Sequence, residues 1–412
     1  MANLGKKRSA WLIMLCSAAI LMITMGARQS SGLFVSPLNE ATGLGIVSIS
    51  FALAIGQFVW GLAQPVFGAI ADKRGSYHVL VAGALLLALG LALTPWATSE
   101  WAVILTMGII SAAGAGAGSF SILIGATAQQ LPPERRAFAG GFINAGGSFG
   151  QFVFAPLLQG IISLFGWVEA LLTMAAATLL TIPLAGYLKS GEAPTALPTG
   201  KTDSSEGLLA QIGQAMRNRS YLCLHAGFFT CGFHVAFLVT HLPGEVSLCG
   251  HAASVSAASL ALIGLFNIGG SLFAGAMGTR YRMKYILAIM YGSRSVMIAI
   301  YLLSPKTELT FYAFAAALGF TWLATVPPTA GLVGKLFGTR YLATLFGLTL
   351  LTHQIGGFLG AWLGGLAMAH DGNYLWMWYA DIALAAAAAL VNLPIQEAAV
   401  IKKKAAEAGS PA

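Results

Sequence analysis

Charge is what this sequence lacks. Only 9% of its 412 residues are Asp, Glu, Lys or Arg, against about 25% in soluble domains. Hydrophobic residues make up 57%, and the mean hydropathy is +0.77. That balance argues against a soluble chain and for a polytopic membrane protein. Acids are scarcest inside the apolar stretches, where Asp381 alone lies well within a span. Paired carboxylates and metal-spaced ligands are missing, so an enzyme is not expected, and neither is a metal or cofactor. The four cysteines, Cys16, Cys223, Cys231 and Cys249, have no metal or redox spacing, and three sit in apolar segments. A disulfide framework is therefore not expected. No Gly-x-x-x-x-Gly-Lys-Ser/Thr phosphate loop occurs, which argues against transport driven by ATP.

What is present is a series of apolar runs long enough to cross about 30 Å of hydrocarbon. They fall near 10–34, 45–70, 77–95, 101–126, 137–163, 167–188, 221–243, 255–278, 283–303, 309–333, 341–367 and 373–395, twelve in all. The fold class expected is an all-α membrane protein of twelve transmembrane helices in two six-helix pseudo-repeats. The opening "MANLGKKRSAWLIMLC" resembles a signal peptide, but its apolar run is long and lacks a convincing cleavage site, so it reads as a retained first helix. The long polar interruption at 189–220 divides six spans from six. The expected units are thus 1–188, the linker 189–220, and 221–412 with a short tail.

Lysine and arginine sort by side. Nineteen fall in the termini, the linker and the loops of one side, from Lys6 to Lys404; Lys306 alone falls on the other; Arg28 and Arg294 lie inside spans. The positive-inside rule then places both termini and the linker in the cytoplasm. The net charge of +8 is explained by the leaflet it faces, and no nucleic-acid partner is expected; the partner is the lipid bilayer.

The halves repeat at an offset close to 206. "GFINAGGSFGQFVFAPLLQG" at 141–160 lies over "GLTLLTHQIGGFLGAWLGGL" at 347–366, matching Gly141 to Gly347, Gly150 to Gly356 and Phe152 to Phe358. "GAIADKRG" at 68–75 lies over "GAMGTRYR" at 275–282. Six-plus-six parallel repeats are an architecture of large secondary transporters, with the site between the halves near the midplane. The glycines four apart in the fifth and eleventh spans, and "GAGAG" at 114–118, read first as helix-packing faces.

At "GAIADKRG" the chain resembles the major facilitator superfamily, whose loop signature is Gly-x-x-x-Asp-Arg/Lys-x-Gly followed by basic residues. Gly68, Asp72, Lys73 and Gly75 fit, while Ser76, Tyr77 and His78 replace the basic cluster. The second copy keeps Gly275 and Arg280 but has Thr279 where an acid is common. The resemblance implies a cytoplasmic gate at this loop, where Asp72 caps or pairs with a helix end. Gly68, Asp72, Lys73, Arg74, Gly75, Gly275 and Arg280 are its expected members, with Arg135 and Arg136 as partners; the alternative for the charges is topology alone. Within the superfamily the chain is most similar to monocarboxylate porters and their bacterial oxalate/formate-like relatives, which implies a bacterial inner (plasma) membrane. Those carriers place a basic residue in the first helix, where Arg28 stands in "ARQSSGLF". They also carry Asp-x-x-x-Arg in the eighth, where Asn267 and Ser271 stand here. An antiporter glycine-proline motif in the fifth span is echoed only by Ala155-Pro156.

An arginine at the bilayer centre costs about 2.5–3.5 kcal/mol on insertion scales, so it normally faces a bundle interior or a wet cavity. Arg28 stays protonated and offers a planar fork that holds a carboxylate; the alternatives are a structural ion pair or snorkelling. The repeat places His234 over Arg28 and Gly232 over Gly26. The pair is therefore expected to face across a central cavity, with His234 contacting the anion or carrying a proton, or serving only as a hydrogen-bonded packing group. His353 and Gln354 form another polar step, and His353 is the second proton candidate. Gln57, Asn144, Gln151 and Asn267 are weaker binding candidates. Arg294, on a span expected at the periphery, and Asp381 read as a structural pair or as separate boundary sites.

The function expected is secondary transport of a small organic anion, a monocarboxylate in the first instance, by alternating access of a single chain, with protons as a candidate second partner. Efflux of amphipathic compounds is the rival within transport. A non-transporting membrane sensor or scaffold is the rival outside it, opposed by the lack of a sizeable soluble domain.

Overall fold

The structure, a computed structural model, describes residues 9–189 and 207–398. Both termini with their lysine clusters, Lys201 and most of the 189–220 linker, and the side chains of Ala155 and Pro156 lie outside the described residues.

Twelve long helices make the body. They are α1 (Ala10–Gln29), α2 (Ile46–Arg74) and α3 (Ser76–Leu93), then α4 (Glu100–Gln130), α5 (Pro133–Phe165) and α6 (Trp167–Leu188). The second six are α7 (Arg219–Leu248), α8 (Ala253–Arg280) and α9 (Met283–Leu303), then α10 (Glu308–Phe337), α11 (Leu342–Asp371) and α12 (Leu375–Asn392). Among the described residues, eleven helices are long and apolar enough to cross a membrane. The twelfth, α5, is 33 residues long. It packs on α1, α4, α6, α8 and α10.

Small residues decide which helices touch. A Cβ on Gly150 of α5 would meet the backbone of Met22 on α1, and one on Gly356 of α11 would meet the backbone of Phe229 on α7. Gly146 likewise meets Ala18, and Gly360 meets Phe233. The α1–α5 and α7–α11 pairs are thus the same construction repeated, with backbones close enough for dispersion and weak Cα–H···O contacts to hold them in lipid. In α4 the glycine run lets one helix approach three others: Gly114 abuts Leu87 of α3, Gly116 abuts Ala63 of α2, and Gly118 abuts Thr24 of α1. The outer helices expose leucines on one face, Leu85, Leu89 and Leu93 on α3 and Leu172, Leu179 and Leu180 on α6, as lipid contact requires.

The two sets of six meet along a seam of α2 against α11 and α5 against α8. One end of the bundle carries the α2–α3, α4–α5, α8–α9 and α10–α11 turns with their lysines and arginines, and is called here the basic end. The α2–α3 turn there is made by Gly75, whose φ of +87° favours glycine.

α10 is broken in its middle. Its first piece ends at Thr321 and its second begins at Val326. Pro327 and Pro328 explain the break: neither has an N–H, and each ring clashes with the carbonyl four residues back, Leu323 and Ala324. Carbonyls freed this way need other donors inside a membrane.

Candidate functional site

At the basic end the seam is shut. Gly68 of α2 lies against the backbone of Ala343 on α11, 2.7 Å from a Cβ placed on it, and Gly275 of α8 lies against Gly141 and Ala137 of α5. These contacts are repeat-equivalent to within one residue: Gly275 lies 207 positions after Gly68, and Ala343 lies 206 after Ala137. Asp72 adds a latch on one side only. Its Oδ2 accepts from the backbone N–H and the hydroxyl of Thr344, both at 2.7 Å. Thr344 lies in the first turn of α11, so the carboxylate meets the positive end of that helix. The equivalent Thr279 of α8 instead bonds Ala276 of its own helix. Arg135 and Arg136 do not partner Asp72: Arg135 is exposed, and Arg136 Nε donates to Leu131 O at 3.0 Å. Lys73, Arg74 and Arg280 are exposed.

Halfway along, the seam is tied by hydrogen bonds. Asn144 Nδ2 donates to Ser271 Oγ at 2.7 Å and to Leu323 O at 2.9 Å. Asn267 Nδ2 donates to Ser148 Oγ at 2.6 Å, while its Oδ1 accepts from Leu323 N at 3.0 Å. Both asparagines are fully buried; their amide nitrogens and Asn267 Oδ1 serve the seam, while Asn144 Oδ1 has no hydrogen-bond partner among the described residues. Gln151, one turn further on, is half-buried.

Beyond this level the same faces open. On α5 the seam face runs Gly141, Asn144, Ser148 and then Phe152, which is 44% exposed. On α11 it runs Gly347, Leu351, Gln354 and then Phe358, 46% exposed. On α2 it runs Gly68, Gly61 and then Gln57 and Phe58, the latter 47% exposed. A face that is buried below and bare above describes a cleft closed at the basic end and open at the other.

Arg28 stands on the wall of that cleft. It occupies the last turn of α1, donates to Gln57 Oε1 of α2, and lies over the Trp60 ring at 4.3 Å. No carboxylate partners it among the described residues. A guanidinium carries five N–H donors, so most of its fork has no acceptor among the described residues. Trp60 adds a cation–π contact that holds the plane without using donors. One turn below Gln57, the side chain of Gln354 lies against Gly61, and Gln354 Nε2 sits 3.1 Å from His353 Nδ1.

His234 does not face Arg28 across the cleft, contrary to the repeat-based expectation. It is buried, with Nδ1 2.5 Å from Asp381 Oδ2 on α12. The side-chain direction differs although the backbone equivalence holds, with Gly26 and Gly232 both at close helix contacts. Arg294 is not peripheral and does not pair with Asp381. It is 1% exposed and donates to the carbonyls of Thr321 and Trp322, the latter at 2.6 Å, in the break of α10. It also reaches Cys231 Sγ at 3.5 Å. His353 is buried beside Cys231.

The structure brings Arg28, Gln57 and Trp60 together; sequence reasoning named the first two but not Trp60, which its spacing of three from Gln57 on a helix places on the same face. It singled out Asp381 without its partner, and nothing local could supply one: α7 and α12 meet only in the folded bundle. The Thr344 partner of Asp72 was equally hidden, 272 residues away.

The Major Facilitator Superfamily model matches residues 14–361. Monocarboxylate transporter 13 of Rattus norvegicus is 25% identical over 370 residues, covering 88% of this chain and 83% of that protein. The oxalate:formate antiporter of Oxalobacter formigenes is 23% identical over 378 residues, covering 90% and 87%. Among solved structures, the E. coli fucose:proton symporter superposes with a TM-score of 0.72 at 14% identity, over 93% of this chain and 98% of that one. A proton:xylose symporter gives 0.73 at 13% identity, over 96% and 98%.

Proposed function

Because this chain belongs to the major facilitator superfamily of membrane transporters, we propose that it is a secondary carrier of a small organic anion, a monocarboxylate in the first instance, moved by alternating access together with a proton. The observation that carries this reading is Arg28: a permanent cation on the cleft wall, held by Gln57 and Trp60, with no carboxylate to neutralise it among the described residues. A bidentate carboxylate completes such a group. The names of the relatives, carriers of monocarboxylates and of oxalate and formate, support the substrate class.

In this reading the basic end is cytoplasmic, by the positive-inside rule, and the cleft faces outward. The anion docks on Arg28. The contacts of Gly68, Asp72 and Gly275 then release while the opposite ends of α2, α5, α8 and α11 come together. His353 and Gln354 stand between the Arg28 wall and the buried His234, and both histidines are candidate proton carriers. The path lies within one chain, so a monomer suffices.

Uptake of a panel of labelled carboxylates into proteoliposomes, with and without an imposed pH gradient, tests the proposal. Saturable uptake lost in Arg28→Gln is the expected result. Uptake unaffected by that substitution removes the anchor. Failure of every carboxylate alongside movement of cationic dyes favours efflux of amphipathic compounds, a reading that the exposed Phe58, Phe152 and Phe358 in the cleft support.

A further inference from the structure

The second half contains a buried ionisable cluster that an anion on Arg28 does not touch. His234 and Asp381 are 1% and 0% exposed, and Arg294 is 1% exposed. Cys231 lies one turn from His234 on α7 and is reached by Arg294 from α9, so the cation and the carboxylate flank α7 from two sides. The other groups facing this region are Tyr291 on α9, whose ring lies 5.2 Å from the Arg294 guanidinium, and His353 on α11. From α10 come Thr321, Trp322 and Thr325, none of them titratable, and α12 presents Asp381 alone, since its Tyr379 is exposed. α8 carries no titratable residue before Arg280 at its end.

One guanidinium, one carboxylate and a neutral imidazole sum to zero. With Asp381 ionised, the hydrogen on Nδ1 of His234 donates to Oδ2. That leaves the Nε2 lone pair of His234 and Oδ1 of Asp381 buried with no hydrogen-bond partner. Buried polar atoms normally find partners, and an imidazole nitrogen with a free lone pair beside a carboxylate is a proton acceptor.

This cluster grips the break in α10 from one side. Arg294 holds the carbonyls of Thr321 and Trp322, and the His234 ring lies edge-on to the Trp322 ring at 5.8 Å. The seam grips the same break from the other side, through Asn144 on Leu323 O and Asn267 on Leu323 N. Residues 321–323 are thus shared by the cluster and by the contact between the halves, in backbone that Pro327 and Pro328 keep out of the helix ladder.

We propose that the His234–Asp381 pair is a proton-binding site and that the broken turn of α10 transmits its charge state to the seam between the halves. A bound proton gives the cluster one net positive charge in a low-dielectric setting. The arrangement of Arg294 and Trp322 that suits the neutral cluster then no longer suits the charged one, and Leu323 moves against Asn144 and Asn267. A proton can shift the two arrangements only by binding them differently, and the shared turn supplies that difference. Coupling to anion movement rests on the carrier reading above; the titration itself does not.

The test uses the full chain in lipid nanodiscs, without substrate. Nitrogen-15 NMR of labelled histidines, assigned with His234→Gln, reads protonation of His234. Amide hydrogen exchange of 320–326, corrected for intrinsic rate, reads the turn. The expected result is a titration at His234 accompanied by a change in exchange at 320–326. In the near-isosteric Asp381→Asn, proton binding weakens about tenfold or more, as expected for loss of an adjacent opposite charge. Exchange at 141–148 of α5, tied to Leu323 through Asn144, changes with the His234 titration, and in Asn144→Ala the titration persists while that change is lost. A His234 that stays neutral across the whole stable pH range overturns the site, and a titration with no change at 320–326 overturns the coupling. Neither outcome depends on whether any carboxylate is carried, so failure of the substrate class remains separately visible.

Discussion

Asp72→Asn tests the latch at the basic end most directly. The carboxylate accepts two hydrogen bonds from Thr344, each 2.7 Å long. Bonds to a charged group contribute about 1.5–3 kcal/mol and neutral ones about 0.5–1.5 kcal/mol. Changing the acid to its amide therefore forfeits about 1 kcal/mol per bond, and the lost interaction with the helix N-terminus adds about 0.3–1 kcal/mol. The sum is about 2–3 kcal/mol, a shift of about 30- to 150-fold toward the form open at the basic end, at about 1.4 kcal/mol per tenfold. Thr344→Val removes the hydroxyl bond but keeps the backbone N–H, so its shift is about half as large in free energy. Spin labels on Arg135→Cys and Arg280→Cys, both exposed positions, report the separation of α5 and α8 at that end. Cys16, Cys223, Cys231 and Cys249 are first replaced in this background. The expected result is a longer distance population that grows in the order parent, Thr344→Val, Asp72→Asn. Identical distributions in all three refute the latch.

Other outcomes follow from the same contacts. Gly150→Ala drives a methyl into the backbone of Met22 and lowers stability by about 1–3 kcal/mol, read as a fall in Tm in detergent. Gly160→Ala, with nothing within 4 Å of the added methyl, leaves Tm unchanged or raises it slightly. Arg28→Lys keeps the charge but loses the planar fork; for a carboxylate substrate it raises KM at least about tenfold, worth about 1.4 kcal/mol, and an unchanged KM contradicts bidentate docking. Asn267→Ala removes the donor to Ser148 Oγ, which keeps its own bond to Asn144 O, and leaves Leu323 N–H without its acceptor. It destabilises by about 1–3 kcal/mol, the cost of one buried unsatisfied group, seen as faster amide exchange at Leu323.

Much of the architecture was legible along the chain because it depends on periodic quantities. Span count follows from hydropathy, and the packing faces of α5 and α11 follow from glycines that recur at one offset, although their partners α1 and α7 came only with the fold. Gly68 and Gly275 were singled out by the loop motif, but the helices they meet were not. Asn267 was read as a weaker binding candidate and Ser271 as standing where the relatives carry an arginine, whereas both tie the seam, to Asn144, Ser148 and Leu323. That outcome depends on the break in α10, whose freed backbone attracts them. The Pro327-Pro328 pair that causes the break was in plain view, but which donors reach the freed carbonyls was not.

The sequence by itself determined the twelve-helix membrane fold, the doubling of its halves, and that Arg28 is a charge needing a reason. Composition and spacing suffice for these, because lipid imposes the same demand on every residue of a span. Tertiary structure alone decided that His234 turns from the cleft to Asp381, that Arg294 holds a broken helix, and that Arg28 keeps its fork free over Trp60. Each of these depends on a side-chain direction between helices distant in sequence. A repeat offset carries a backbone position from one half to the other, but the partner a polar side chain finds depends on which neighbour's lone pair or hydrogen lies within about 3 Å.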